Sequence, residues 1–445
     1  MSSSTTPTDD ELKSSLTSLR TSNPSLGIPK LHALLLSSNP SWTVSEKRTR
    51  KILQSAGLVN APPLSKKVSS NGEVGVKYPV SKLVKGLDVS KWTTKVEVKE
   101  FGAKKGKGLV AKEAIKEGDV LWKEDPFVLA PEWDIYDLQQ KSAACAFCST
   151  PLTATPLSVS CPSSTSSIHC PARFCSRLCL SRGTKHTHPL LCPAQNPASV
   201  PLLAFVKKNR WMGLHALVQV IARLLIAAQS GEEGQMEKDW DVVSALAELS
   251  LEDRAKSVWY KGAEPDRPTW TKAHQLCVQA FQTPSSPQDQ KKLAKILRKP
   301  LPEHIAKELF EYGGFLRGLG KMNLNLEAHG GLYTLHSHLN HSCDPNLSIR
   351  HLDPRTSLSR ITVIAKRDID AGEELTVTYV DPGLRLKRRR EELGGWGFGV
   401  CKCARCEEEE REIKEGRGEE EGEGEGGEGV PDDLEKELKA GLGVM

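Results

Sequence analysis

Seven cysteines and a histidine fall within 48 residues, as Cys145-x2-Cys148, Cys161, Cys170, Cys175-x3-Cys179 and His188-x3-Cys192, and three further thiols stand at Cys401-x-Cys403-x2-Cys406. Only Cys277 and Cys343 of the twelve cysteines lie elsewhere. The polar, acidic start MSSSTTPTDDELK lacks the charged and apolar stretches of a secretory signal, so an intracellular, reducing compartment is expected. Thiols clustered this way in such a compartment point to metal ligation rather than disulfides. Tetrahedral zinc takes four soft or borderline ligands, so eight make two closed structural sites. The intervening TPLTATPLSVSCPSSTSS is small and polar, with little besides metal to hold it folded.

Ligands adjacent on one loop cannot surround an ion alone, which favours an interleaved pairing. Cys145, Cys148, Cys175 and Cys179 would take one zinc, and Cys161, Cys170, His188 and Cys192 the other. His186 competes with His188 for its place, and His169 is an alternative to a neighbouring cysteine. The last group, Cys401, Cys403 and Cys406, lacks a fourth ligand, and Cys343 in NHSCDP is the one well-placed leftover thiol. That choice clamps the C-terminal segment against a loop almost sixty residues earlier. A catalytic zinc with an open position fits less well, because three thiolates leave little Lewis acidity and no base stands beside them.

The chain has 445 residues, enough for roughly two or three domains. No stretch reaches the ~20 uncharged apolar residues of a membrane-spanning helix, since Leu214 to Ala228 is short and carries Arg223; no membrane contact is expected. Residues 1–60 read as a small helical unit resembling a helix-turn-helix. Ser45 is its plausible N-cap and Gly57 its stop, and one helix carries Lys47, Arg48, Arg50 and Lys51. Weak nucleic-acid contact through 11–58 and a merely solvated basic face both fit that outline. A linker is expected over 61–91, then a strand-rich module over 92–131 broken by glycines, and a helical insert over 200–320. Strand signals return at LSIRHLDP, SRITVIAKRDI and ELTVTYV, followed by a charged helix whose KRRR (387–390) reads as a solvated face. Residues 407–439 carry a net charge of −11 against +16 elsewhere. This Glu/Gly-rich tail, 407–445, is expected to be disordered. A basic body with an acidic tail suits a protein that meets chromatin or basic peptides.

Four motifs follow in order: GKGLVA (106–111), LNHSCDPN (339–346), EELTVTYV (373–380) and CxCxxC with Trp396 and Phe398 before it. Together they resemble the SET domain of protein-lysine methyltransferases. The first cysteine cluster resembles the MYND zinc finger, a protein-contact module, although Cys161 and Cys170 are wider apart than that family's second pair. The combination resembles the SET and MYND domain family, most of all its fungal group called SET domain protein five. The resemblance implies an α+β fold, a knot-like set of small β-sheets spanning 92–381, interrupted by the finger at 145–192 and the helical insert, with a zinc-bearing segment over 382–406. It also implies S-adenosylmethionine as cofactor, up to three structural Zn2+, and a histone tail or other lysine-bearing protein as substrate.

The residues make sense for methyl transfer to a lysine amine. Gly106 and Gly108 allow close backbone approach to the cofactor, and Lys105 and Lys107 could meet its carboxylate. The resemblance passes cofactor contacts to Asn340 and His341, with Asn323 a further candidate and Phe398, or alternatively Trp396, packing on the adenine. Tyr379 is the expected catalytic tyrosine, and Tyr333 is expected to line the lysine channel. An active methyltransferase of histone tails, with histone H4 lysines favoured by the resemblance, is the leading reading, and nucleus or chromatin, with cytoplasm, the expected location. A non-catalytic adaptor using the finger, a methyltransferase of a non-histone protein and a DNA-binding regulator are the competing ones.

Overall fold

The computed structural model describes residues 5–22, 28–55, 77–102, 105–153, 157–256, 265–351 and 358–417. The chain divides into two compact units, residues 1–75 and 76–445. In the first, helices Asp9–Ser22, Ile28–Ser38 and Glu46–Ser55 close over a core that includes Leu12, Leu16, Leu31, Leu35, Val44 and Leu53. The Ser45 hydroxyl accepts from the Arg48 amide at 3.3 Å, as an N-cap does. Arg48 is not part of an open basic face, because its guanidinium pairs with Asp9 at 2.6 Å. Gly57 lies outside the described residues.

The second unit is built from small sheets around a helical mass. Strands β1 (Val96–Glu100), β2 (Lys107–Ala111), β3 (Val120–Glu124) and β4 (Val128–Leu129) come first, and β5 (Val159–Ser160) and β6 (Arg173–Phe174) belong to the cysteine-rich segment. After the helices come β7 (Gly331–Leu332), β8 (Asn340–His341), β9 (Leu347–Arg350), β10 (Ile361–Ala365) and β11 (Glu374–Val377). One sheet has the order β1-β2-β11-β8 and another β3-β10-β9, with β4-β7 and β5-β6 as two-stranded pairs. Most neighbours are antiparallel, but β8 and β11 run parallel, setting Asn340 beside Thr376 and His341 beside Val377. That pairing delivers the NHSC loop to the strand that ends at Val377, two residues before Tyr379. Leu109, Ile361, Val363 and Leu375, all fully buried, form the core between these sheets.

The helix Met212–Gln229 is long and apolar enough to cross a membrane by length and composition, yet it is the core helix of the insert, two-thirds buried. Leu214, Val218, Ile221 and Leu224 have no exposed surface. Arg223 is tolerated there because Asp239 pairs with it at 2.9 Å and the Phe127 carbonyl accepts from it at 2.7 Å. The insert runs on through the helix Tyr312–Asn325, slightly past the expected 320.

Three expectations are revised. Residues 77–91, expected within the linker, belong to the body: Val80 bridges to Glu248, and Val89–Lys91 forms a helical turn. The helix Ala404–Lys414 extends into the stretch expected to be disordered; residues 418–445 of that tail lie outside the described residues. Arg389 of KRRR is fully buried, not solvated.

Candidate functional site

A cleft of about 320 Å³ opens where the strand module, the end of the helical insert and the C-terminal segment meet. Lys105, Lys107, Asn323, Asn340, His341, Tyr379, Trp396 and Phe398 all line it, so eight side chains separated by up to 293 positions of sequence share one concavity.

Asn340 is held by its amide, which donates to the Lys107 carbonyl at 2.9 Å and to Glu374 at 3.0 Å. Lys105 also pairs with Glu374. Lys107 is only 3% exposed, and its ammonium donates to the Ala245 carbonyl at 3.0 Å and the Ser337 hydroxyl at 3.3 Å. With no carboxylate among the described residues paired to it, burial pushes it down to about 7. A cation so placed is poised to gain from an anionic ligand group.

Tyr379 turns its hydroxyl inward, donating to the Leu339 carbonyl at 2.7 Å. Burial, and then the carboxylates of Glu327 and Glu374, hold its phenol well above the ordinary range, so it keeps its proton at neutral pH. His341 and Phe398 flank its ring at centroid distances of 5.3 and 5.2 Å. Burial foremost, then Arg389, pushes the His341 imidazole down to about 4.

Two expectations change. Tyr333 does not line the cleft: it is 1% exposed, and its hydroxyl donates to the Ser359 carbonyl at 2.5 Å. Gly106 and Gly108 do not border the cleft either, and their need for a missing side chain is internal. A Cβ on Gly108 would meet Phe101 at 2.5 Å and Asn340 at 2.9 Å, and one on Gly106, at φ +72°, would meet Ser81 at 2.5 Å. Residues the motifs did not signal also wall the cleft, among them Pro79, Ser81, Ala247 and Glu327. Beneath it Glu124, 2% exposed, accepts from the Leu335 and His336 amides at 2.8 and 3.1 Å, fixing the approach to the NHSC loop.

The thiols assemble into three groups: Cys145, Cys148, Cys175 and Cys179; Cys161, Cys170, His188 and Cys192; and Cys343, Cys401, Cys403 and Cys406. All twelve cysteines are free of disulfides. Within the groups, Cys175 and Cys179 sulfurs are 3.4 Å apart, Cys161 and Cys192 3.8 Å, and Cys343 and Cys406 3.4 Å. A tetrahedral ion with bonds of ~2.3 Å needs sulfurs about 3.8 Å apart, so these donor sets fit zinc in type and spacing. His186 instead packs on Phe147, and His169 is exposed. The buried Arg389 lies 3.8 Å from the Cys406 sulfur and pairs with Glu409 at 2.5 Å, a cation beside a thiolate-rich centre.

The SET domain family model matches residues 106–380. A protein named Histone-lysine N-methyltransferase SET5 from Mycosarcoma maydis is 32% identical over 330 residues, covering 68% of this chain and 65% of that protein. One of the same name from Yarrowia lipolytica is 30% identical over 385 residues, 84% of this chain and 75% of that protein. The chain thus spans just under two thirds of the first relative's length. A solved SET domain of LSMT bound to lysine and AdoHcy superposes with a TM-score of 0.29 at 13% identity, covering 69% of this chain and 53% of that one; so loose a fit carries no argument.

Proposed function

The chain belongs to the SET domain family, and from that premise we propose that it is an S-adenosylmethionine-dependent protein-lysine methyltransferase acting on histone tails, H4 lysines favoured, in nuclear chromatin. The observation that carries this reading is the convergence of Asn340, His341, Tyr379, Phe398 and Lys107 on one cleft. The relatives' names, Histone-lysine N-methyltransferase, support the substrate class.

Bound in the cleft, S-adenosylmethionine would supply an electrophilic methyl to the lone pair of a neutral lysine amine, with S-adenosylhomocysteine as the leaving group and the methylated ammonium returning its proton to water. Lys107 and Asn340 would hold its amino-acid end, and Phe398 or Trp396 would cover its adenine. A free lysine amine is about 0.04% neutral at pH 7, a cost of roughly 4 to 5 kcal/mol unless its surroundings lower its pKa. A dry channel beside positive charge does so by desolvation and repulsion. Tyr379 orients the incoming amine, because its protonated hydroxyl and ring are fixed by the Leu339 carbonyl, His341 and Phe398. The three cysteine-rich groups hold zinc structurally; the one with Cys343 ties the C-terminal aromatics to the NHSC loop, and the MYND-like finger offers a protein-contact surface.

The test is transfer of labelled methyl from S-adenosylmethionine to separated core histones by wild type, Tyr379→Phe and His341→Ala. Label on one histone that vanishes in both variants supports the reading. Cofactor binding without label on any histone redirects it to a non-histone substrate, and absence of cofactor binding overturns it in favour of an adaptor.

A further inference from the structure

Behind the cleft wall lies a second group of potential ligands that contains no sulfur. Glu327 and His329 sit on the tight turn before β7, where the Glu327 amide donates to the Gly331 carbonyl at 2.9 Å and Gly330 takes φ +83°. His351 follows the end of β9. One ligand atom from each of Glu327, His329 and His351 lies within 4.8 Å of the others. The two imidazoles lie with centroids 4.5 Å apart, their planes tilted by 51°.

Hydrogen bonding fixes which nitrogen of His329 carries a lone pair. Tyr333 has one hydroxyl proton, and the Ser359 carbonyl takes it at 2.5 Å. The 2.7 Å contact between Tyr333 oxygen and His329 Nε2 therefore has Nε2–H as donor. Nδ1 is left unprotonated, buried and, among the described residues, without a hydrogen-bond partner. Nδ1 of His351 is likewise buried and without a hydrogen-bond partner among the described residues. An unpaired buried polar atom is costly, so two in one place ask for a common partner. A ring whose far N–H is anchored on an oxygen, with its other nitrogen presented inward, is the arrangement metal-ligating histidines adopt. His336 adds a third ring, with Nε2 3.3 Å from Glu327.

We infer that Glu327, His329 and His351 form a binding site for one divalent late transition-metal ion, zinc or its neighbours, separate from the three thiolate-rich groups. Two imidazoles and a carboxylate are the donor set that suits such ions, and they leave a coordination position open. Nitrogens around a tetrahedral ion lie about 3.4 Å apart, so binding draws the three side chains slightly together. Glu327 is the ligand on the open side: its side chain is 23% exposed, and it borders the cleft. Metal occupancy therefore pins the turn at 327–330 to the end of β9 and stiffens the wall formed by 324–328.

The experiment uses the full chain with its thiolate groups zinc-loaded, titrated with Co2+ and followed by calorimetry and visible absorption. Wild type should take up one further equivalent, with cobalt d–d bands and no sulfur-to-cobalt charge transfer, and its Tm should rise. His329→Gln and His351→Gln should lose that equivalent while keeping their thiolate-bound zinc. Glu327→Gln, altered at the more open ligand and hence least prone to misfold, should weaken it about 10- to 100-fold. Absence of an extra equivalent in wild type, or uptake unchanged in all three variants, overturns the site.

Discussion

The Tyr379 amide donates to Nδ1 of His341 at 3.0 Å, which places the imidazole proton on Nε2, facing the Cys343 sulfur at 3.3 Å. One ring thus holds the backbone of the cleft tyrosine with one nitrogen and serves a thiolate with the other. Its position comes from the parallel pairing of β8 with β11, which puts His341 alongside Val377, two residues before Tyr379.

His341→Ala removes the acceptor for that amide, which is exposed enough for water to replace it, at about 0.5–1.5 kcal/mol. Tyr379 keeps its hydroxyl bond to Leu339 but loses the anchor of its main chain. The expected result is a fall in kcat of tenfold or more, larger than any change in cofactor Kd, with the three thiolate groups still zinc-loaded. Single-turnover kinetics against isothermal titration separates the two quantities.

The buried ammonium of Lys107 gives two pH dependences of opposite sign. Its folded value is about 7 against an ordinary 10.5, so between those limits the unfolded chain binds the extra proton. Stability of the ligand-free protein therefore rises with pH from 7 toward 10.5 on account of this group. Pairing with a carboxylate needs the ammonium form, so affinity for S-adenosylmethionine should fall over the same range, by up to about tenfold per pH unit. Lys107→Gln should flatten both curves. Denaturant melts and calorimetric titrations at pH 7, 8 and 9 check this, and affinity independent of pH in wild type would remove Lys107 from the cofactor's carboxylate.

Which features were legible in the sequence follows from how local their signals were. The cysteine groupings could be anticipated because ligand spacing within each short stretch limits how a tetrahedral ion is surrounded, and Cys343 was the one thiol left near a motif. The cleft placement of Asn340, His341 and Tyr379 was reachable because each lies within a compact motif. Pro79 and Ser81 were hidden because 61–91 has linker composition, while Val80 pairs with Glu248 from the far side of the helical insert. Glu327, His329 and His351 were hidden for a related reason: a turn and a strand end separated by two further strands supply the donors, and no spacing signals that. Tyr333 stood close enough to the motifs to look like a channel residue, but its hydroxyl is committed to Ser359.

The KRRR run shows the same limit and yields a paired test. Arg388 is 61% exposed at its side chain beside Glu391, whereas Arg389 is 0% exposed and binds Glu409, the Leu384 carbonyl and the rim of the Cys343 group. Arg388→Ala should change stability by no more than about 0.5 kcal/mol. Arg389→Ala should cost about 2–4 kcal/mol, since it opens a cavity beside the thiolates, removes their neighbouring cation and leaves Glu409 with Arg405 alone. It should also release zinc from that group 10- to 100-fold more readily. Urea unfolding and a chromogenic zinc-chelator assay measure the two effects, and equal behaviour of the two variants would contradict the burial of Arg389.

Gly108 offers the sharpest steric test of how the cleft is held. It sits in β2 with ordinary extended φ, so an alanine there meets no backbone penalty of the left-handed kind; the whole effect must come from the added methyl. That methyl would lie 2.5 Å from the Phe101 ring and 2.9 Å from Asn340 Nδ2. Phe101 can yield toward solvent, being only partly buried. Asn340 cannot without breaking its bonds to the Lys107 carbonyl and Glu374. Gly108→Ala should therefore destabilise the fold by about 1–3 kcal/mol and weaken cofactor binding at least tenfold, because the displaced amide lies on the cleft surface. Gly231, whose added Cβ would meet nothing within 4 Å, is the control: Gly231→Ala should leave both quantities unchanged. If Gly108→Ala lost stability but kept full cofactor affinity, Asn340 would be a structural clamp for β2 rather than part of the binding surface.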